Sequence, residues 1–388
     1  MSRWRYVWSA VVFALSLGVG FWIASYKGLW NDEFFSLASS IHNPSYWDMM
    51  SGKIQEGNNS PLFYLLQKIF FQLIGYQVPA QWINGNWSYA HYPSQFIVRI
   101  IPVVCMSLSI ALVFSLFYKR YSWSAGVYSL LMWGASYMLW VYWAESRPYA
   151  MVVLLTTIQT YLLIRFFEDK SRWDKGWGWL ALTHLLLSLT FILSLGQILA
   201  AAMILWFLGH RNFKQYLWLV VIPTAICLFY YMHAPRYNFW FDMTPEQLVR
   251  DNFPRERFYI LFLMIACVLW EKFSVILPWG KKVVGNIGSA VKPYLFFSGM
   301  VLGFTFIILG LFALKAAPNQ TGFTVVNRYF IYLTPIGVVA ATWFSIAVLK
   351  FFENYRWVQG LLIIVMLYWM VKRFYKIVDS AIRSIMGI

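Results

Sequence analysis

The sequence predicts an all-α, polytopic membrane helical bundle of about 11–12 transmembrane helices, and three observations carry that prediction. Sixty per cent of the 388 residues are hydrophobic and only 12% are charged, against roughly 45–50% and 25% in soluble domains. The mean hydropathy is +0.58, too apolar for a soluble globule to cover its surface with polar groups. The apolar runs are mostly of roughly 16–23 residues, the length a helix needs to cross a bilayer core, and are not the alternating ten-residue segments of a barrel. Lipid admits only these two architectures. Soluble enzymes, secreted disulfide scaffolds, fibrous proteins and disordered chains are excluded on the same grounds.

The runs follow in order. Residues 6–26 are too long for a signal peptide and lack a small-residue cleavage site, so they read as a retained first helix. Spanning segments are then expected at 95–118, 124–143, 147–167, 177–194, 196–209, 214–233, 258–279, 293–314, 328–349 and 357–372, with 177–194 and 196–209 as two short helices broken near Gly196. The stretch 61–76 is apolar but short, and contains Gln67, Lys68 and Gln72. No repeat, linker or soluble module is visible, so 1–388 reads as a single integral membrane domain. Its long external loops are 27–94, with juxtamembrane helices, and 234–257.

Charge sets the orientation. Arg3 and Arg5 place the N-terminus inside. If 61–76 does not cross, the loops carrying Lys119/Arg120, Arg165/Lys170/Arg172/Lys175, Arg211/Lys214, Lys281/Lys282/Lys292 and Lys350/Arg356 all fall inside, and most acids fall outside. The exception is the end of the chain, where Lys372, Arg373, Lys376 and Arg383 then lie outside. The net charge of +16 is accounted for by this asymmetry and by lipid phosphates. Nucleic acid is not an expected partner, because no basic stripe lies on a soluble module. Cys105, Cys227 and Cys267 sit within apolar runs without metal spacing and read as packing residues.

Chemistry is expected on the outer face. Asp32-Glu33, just beyond the first helix, are adjacent carboxylates at the edge of low dielectric, where a general base can be tuned. The plainer account is that acids favour the start of a helix. Glu145-Ser146-Arg147-Pro148-Tyr149 puts an acid and a base between two spanning segments, either as a functional pair or as an ion pair at a helix entry. Arg99, Arg147, Arg236 and Arg328 lie at the membrane edge, where guanidinium groups suit phosphate or snorkel to headgroups. Lys53 and His42 share the first loop. His184 reads as a hydrogen-bonded packing residue, and Glu271-Lys272 receive no role. Trp82, Trp87, Tyr89, Tyr92, Tyr237, Phe239, Trp240 and Phe241 form either an interfacial belt or a platform for sugar rings or isoprenoid chains. No nucleotide-binding or zinc-protease motif is present, so a reaction would draw its energy from the substrate, as a phosphate-activated lipid allows.

The order of these motifs resembles a known family. Asp32-Glu33 is followed by Asn59-Ser60-Pro61-Leu62-Phe63-Tyr64-Leu65-Leu66 running to Gly75. Arg99-Ile100-Ile101-Pro102, Glu145-Ser146-Arg147-Pro148-Tyr149-Ala150 and Asn327-Arg328-Tyr329-Phe330-Ile331-Tyr332-Leu333-Thr334-Pro335 come next. The pattern is similar to the GT-C superfamily of integral membrane glycosyltransferases. Within it the match is to the branch of protein O-mannosyltransferases, the aminoarabinose transferase of lipid A and RgtA/B/C/D-like enzymes. It covers 27–168 and, less fully, 325–337. Ser60-Pro61 stands where that branch carries His-Pro-Pro or Lys-Pro-Pro, with Lys53 as the basic residue offered in its place.

The resemblance implies a polyprenyl-phosphate-sugar donor, a glycan, lipid or protein acceptor, and transfer on the non-cytoplasmic face, here of a bacterial-type inner membrane. It implies Asp32 as catalytic base, with Glu33 beside it and Glu145 as a second acid. Arg147 and Arg328 are implied as contacts to acid or donor phosphate, with Arg99 and Lys53 as further phosphate contacts. Some relatives use a divalent cation (Mg or Mn), which Asp32 and Glu145 would hold. Two rival functions are a transporter or flippase of a polyprenyl-linked sugar and a non-catalytic, lipid-binding assembly subunit. The first predicts charges at mid-membrane depth and two related halves. The second predicts that Asp32 and Glu145 are replaceable.

Overall fold

The computed structural model describes residues 2–54, 60–77, 80–83, 86–89, 92–233, 290–313, 327–351 and 354–386. Helix α1 (Ser2–Tyr26) leads into a group of short elements. These are α2 (Asn31–Phe35), a π-helical continuation over Ser36–His42, α3 (Tyr46–Met50) and α4 (Leu62–Leu73). An antiparallel hairpin of β1 (Ala80–Ile83) and β2 (Asn86–Tyr89) and then α5 (Gln95–Val98) complete the group. The body follows as α6 (Ile100–Arg120), α7 (Trp123–Gly134), α8 (Tyr137–Val141), α9 (Tyr149–Glu168), α10 (Trp173–Thr190) and α11 (Leu195–Phe207). It continues with α12 (Phe213–Tyr216), a π turn over Leu217–Val221, α13 (Ile222–His233), α14 (Val291–Ala313), α15 (Leu333–Phe351) and α16 (Arg356–Met386).

The architecture is a helical bundle. Among the described residues, four stretches are long and apolar enough to cross a membrane: Tyr6–Tyr26, Ile100–Arg120, Tyr149–Glu168 and Phe213–His233. The apolar windows of α6 and α9 are 72% buried, whereas those of α1 and of Phe213–His233 are only 22% buried. The first two are therefore central, and the other two present apolar faces of the kind that lipid covers. One continuous core of buried side chains runs from Ile23 in α1 to Trp343 in α15.

Ion pairs and ring contacts fix the helix directions. Arg99, at the start of α6, reaches the Ala24 carbonyl near the end of α1 at 3.2 Å. At the opposite end the Lys119 ammonium stands 4.6 Å over the Tyr6 ring, so α1 and α6 are antiparallel. Arg120 and Glu168, at the C-terminal ends of α6 and α9, pair at 2.6 Å, so these two run parallel, with α7 and α8 forming the return. The chain therefore leaves α1 and enters α6 at the same end of the bundle. Helix α4, of 12 residues, spans only about 18 Å against a hydrocarbon core of about 30 Å. It buries Phe63, Tyr64, Gln67 and Phe71, in a cluster with Leu37 and Ile41 of the first π turn, Met151 and Leu155 of α9, and Leu187 of α10.

Close approach of α1 to its neighbours needs a glycine. A Cβ at Gly20 would lie 2.7 Å from both Val103 Cγ1 and Trp143 Nε1, and small residues at such contacts let helices pack in lipid.

Several boundaries differ from the sequence expectation. The run 124–143 is two helices, because the chain breaks at Ala135–Ser136, where the Trp140 indole N–H donates to the Gly134 carbonyl at 2.8 Å. The break expected near Gly196 falls at Phe191, which is extended (φ −154°, ψ 120°). Gly196 lies inside α11 instead, where a Cβ would come within 3.1 Å of Ile308 and 3.3 Å of Phe304 in α14. That glycine serves a helix–helix contact. The run 357–372 is part of the 31-residue α16, about 46 Å long, so the basic stretch at 372–383 continues the same helix. The hairpin at 80–89 has no counterpart in the expected elements. The run 258–279 and the loop 234–257, with Arg236, Cys267 and Glu271-Lys272, lie outside the described residues.

Candidate functional site

Three acid–base pairs gather where α1 stops and where α6 and α9 begin. The innermost is Glu33–Arg99, with both side chains 0% exposed. Arg99 Nε donates to Glu33 Oε1 at 2.9 Å and Nη2 to Oε2 at 2.6 Å. The remaining donors go to the carbonyls ending α1: Nη1 to Ala24 and Lys27, and Nη2 to Gly28 at 2.8 Å. Carbonyls at a helix C-terminus lack intrahelical donors, and a planar guanidinium with five N–H groups can serve them while gripping a carboxylate bidentately. Glu33 Oε1 also accepts the Ser146 backbone N–H at 2.7 Å. The pair thus ties the end of α1, the start of α6 and the loop before α9 into one knot.

This geometry gives Arg99 and Glu33 a different part from the expected one. All five Arg99 N–H groups are engaged within the chain, which leaves none for a donor phosphate. The Glu33 carboxylate is sealed from solvent, with both oxygens on Arg99 and one also on the Ser146 N–H.

The second pair is Asp32–Arg147, at 2.6 Å from Oδ2 to Nη1. Here the Asp32 side chain is 34% exposed while Arg147 is nearly buried. The Arg147 guanidinium lies 5.2 Å over the Tyr149 ring, and Tyr149 packs edge-on against Tyr142 at 5.0 Å. Aromatic faces hold a cation in place without neutralising it. Successive residues on a helix point about 100° apart, so the neighbours Asp32 and Glu33 project to different surroundings.

The third pair is Lys27–Glu145 at 3.7 Å, with Glu145 buried. Lys27 Nζ also donates to the Val141 carbonyl at 2.8 Å. Sequence reasoning missed Lys27, since a lysine at the end of an apolar run looks like an ordinary interfacial anchor. The backbone between Glu145 and Arg147 is tightly turned, with the Arg147 N–H on the Glu145 carbonyl at 2.7 Å. This turn sends the two side chains to separate partners.

One expected residue stands elsewhere. Lys53 pairs with Asp48 at 3.1 Å and is well exposed. The Ser45 hydroxyl, and next the Lys53 ammonium, hold the Asp48 carboxyl below its usual range. Arg328 lies in a 3₁₀ turn, Asn327–Phe330, that leads into α15, and its side chain is outside the described residues. His42 ends the first π turn, where Lys68 donates to its carbonyl at 3.3 Å. Of the expected aromatic platform, Tyr92 is exposed and meets the Phe34 ring edge-on at 5.6 Å. Trp82 and Trp87 are cross-strand partners in the hairpin.

A divalent cation does not fit the described residues well. Among them no three His, Cys, Asp or Glu side chains come together as ligands. Asp32 and Glu145, the pair named for this role, each already face a cation of the chain. Against other proteins, no family model and no curated protein matches the chain.

Proposed function

We propose that this chain is a GT-C-type glycosyltransferase that moves a sugar from a polyprenyl-phosphate-sugar donor to a lipid, glycan or protein acceptor. The observation that carries this reading is the half-open Asp32 carboxylate, held 2.6 Å from the nearly buried Arg147 at one end of the bundle. An acceptor hydroxyl has a pKa far above 7 and needs a base as it attacks. Of the three acids gathered there, Asp32 is the one within reach of a substrate, so it takes the proton as the acceptor oxygen bonds to the anomeric carbon. The bond from that carbon to the phosphate oxygen breaks, and its electron pair leaves on the polyprenyl phosphate. Negative charge gathering there needs a fixed cation, and Arg147 stands beside the base. Arg328 joins it on the strength of the motif resemblance alone. Glu33, Arg99, Lys27 and Glu145 act as positioning residues that fix the loop carrying Arg147 relative to Asp32. The full reading adds a bundle of about 11–12 spanning helices and a site on the non-cytoplasmic face of a bacterial-type inner membrane. No step is routed through a metal.

The test uses purified protein in lipid with a panel of labelled polyprenyl-phosphate sugars and a membrane glycolipid extract, wild type beside Asp32→Asn. Label moving to a new product with wild type alone is the expected result, and the panel then names the donor. Turnover by Asp32→Asn at the wild-type rate removes Asp32 as the base. Donor binding without transfer, surviving the substitution, favours a transporter or a lipid-holding subunit.

A further inference from the structure

A second polar constellation lies inside the bundle, away from the acid–base pairs. It joins Thr156 and Gln159 of α9, His184 of α10 and Gln197 of α11, all fully buried. His184 Nδ1 contacts the Leu219 carbonyl, within the second π turn, at 2.7 Å, and His184 Nε2 contacts Gln159 Nε2 at 2.9 Å. A carbonyl can only accept, so Nδ1 carries the proton and Nε2 accepts from the amide. The same Gln159 nitrogen donates to the Gln197 backbone carbonyl at 3.3 Å. Facing two acceptors, that position must be the nitrogen of the Gln159 amide. On Gln197, the side-chain oxygen accepts from Thr156 Oγ1 at 3.1 Å.

This accounting leaves one amide oxygen and one amide nitrogen of the two glutamines over. Among the described residues, Gln159 Oε1 and Gln197 Nε2 are both buried and have no hydrogen-bond partner, as is true of Ser194 Oγ just before α11. Thr156 and Gln159 are three residues apart, so they share a face of α9, and both contact Gln197. An amide oxygen lacking a donor and an amide N–H lacking an acceptor, on two side chains whose residues meet through the Gln159 Nε2–Gln197 carbonyl contact at 3.3 Å, together complement one hydroxyl group. Buried polar atoms in proteins are nearly always satisfied, commonly by an ordered water with two to four partners.

We propose that the α9–α10–α11 interior is a binding site for a single hydroxyl, which donates to Gln159 Oε1 and accepts from Gln197 Nε2. The hydroxyl belongs either to a water molecule or to a small polyol. This site is independent of the transferase reading, and its test does not measure transfer.

The first arm is a high-resolution density map of the whole protein in lipid nanodiscs, prepared without glycerol and then with it. Density within hydrogen-bonding distance of both amides in the glycerol-free sample identifies water, and density only with glycerol identifies a polyol. Density in neither overturns the proposal. The second arm repeats the glycerol-free map with Gln197→Met, close in volume, which removes one of the two amides. Loss of the density is the expected result, and density that persists unchanged beside Gln159 overturns the bridging site.

Discussion

Replacing Arg99 by methionine tests whether the Glu33–Arg99 knot holds this end of the bundle together. The substitution keeps bulk and removes five donors. Glu33 retains the Ser146 N–H at 2.7 Å but loses both arms of its bidentate partner. Leaving one member of a buried pair uncompensated costs about 3–5 kcal/mol. The carbonyls of Ala24, Lys27 and Gly28 lose a donor as well, at about 1–3 kcal/mol for each that stays buried and unsatisfied. A loss on the order of 5 kcal/mol is a large share of a typical folding stability of about 5–15 kcal/mol. Arg99→Lys should recover only part of it, since one ammonium cannot span two carboxylate oxygens and three carbonyls. The assay is thermal unfolding in nanodiscs followed by intrinsic fluorescence, with recovery from membranes as a second reading. Because both partners are 0% exposed, the deficit should persist in 1 M NaCl, where exposed charges are screened beyond about 3 Å. An Arg99→Met protein that unfolds within about 2 °C of wild type, in normal yield, would refute the reasoning.

Three other outcomes are expected. Asp32→Asn should lower transfer by about 10²–10⁴-fold, the span of general-base contributions, while leaving thermal unfolding close to wild type; radiolabel transfer and fluorescence read the two separately. Gly20→Leu should separate α1 from Val103 and Trp143, since even a Cβ would sit at 2.7 Å, and should cut membrane yield sharply. The Asp48 carboxyl should titrate by NMR below its ordinary 3.8, with Ser45→Ala raising it more than Lys53→Ala. Because the folded value is the depressed one, this contact favours folding above the unfolded value and is lost as pH falls through the folded one. The residues are exposed, so Lys53→Ala should cost little stability and leave transfer unchanged.

The helical class was legible because lipid leaves few alternatives and long apolar runs point to helices. What the runs could not show was where a helix stops inside apolar sequence. Phe191 and Ala135 break helices without a proline or a charge, whereas Gly196, which looks like a breaker, sits against α14. That five charged residues share one end of the bundle was legible too, from the alternation of basic loops with acids. Asp32, Glu33, Arg99, Glu145 and Arg147 do gather there. Their pairing was not legible, because it is set by side-chain direction over a three-dimensional junction. Two arginines that look alike in sequence are, in the fold, a brace with every donor engaged and a cation paired with a partly exposed carboxylate.

The same argument divides Asp32 from Glu33 and makes their roles separable by experiment. Both begin α2, and both carry the same charge. Asp32 is a third exposed and pairs with Arg147, whereas Glu33 is sealed and meets Arg99 through both oxygens. A positioning role predicts that Glu33→Gln costs stability first, because the new amide N–H₂ group faces Arg99 Nη2, another donor. Transfer should then fall only as far as the Ser146–Arg147 loop shifts, with kcat and KM moving together. A base predicts the opposite for Asp32→Asn: wild-type unfolding, an intact KM for the donor, and a collapsed kcat. Measuring unfolding and both kinetic constants on the two variants resolves the assignment. Should Glu33→Gln keep the wild-type Tm and lose kcat alone, Glu33 would be the catalytic acid and Asp32 its neighbour.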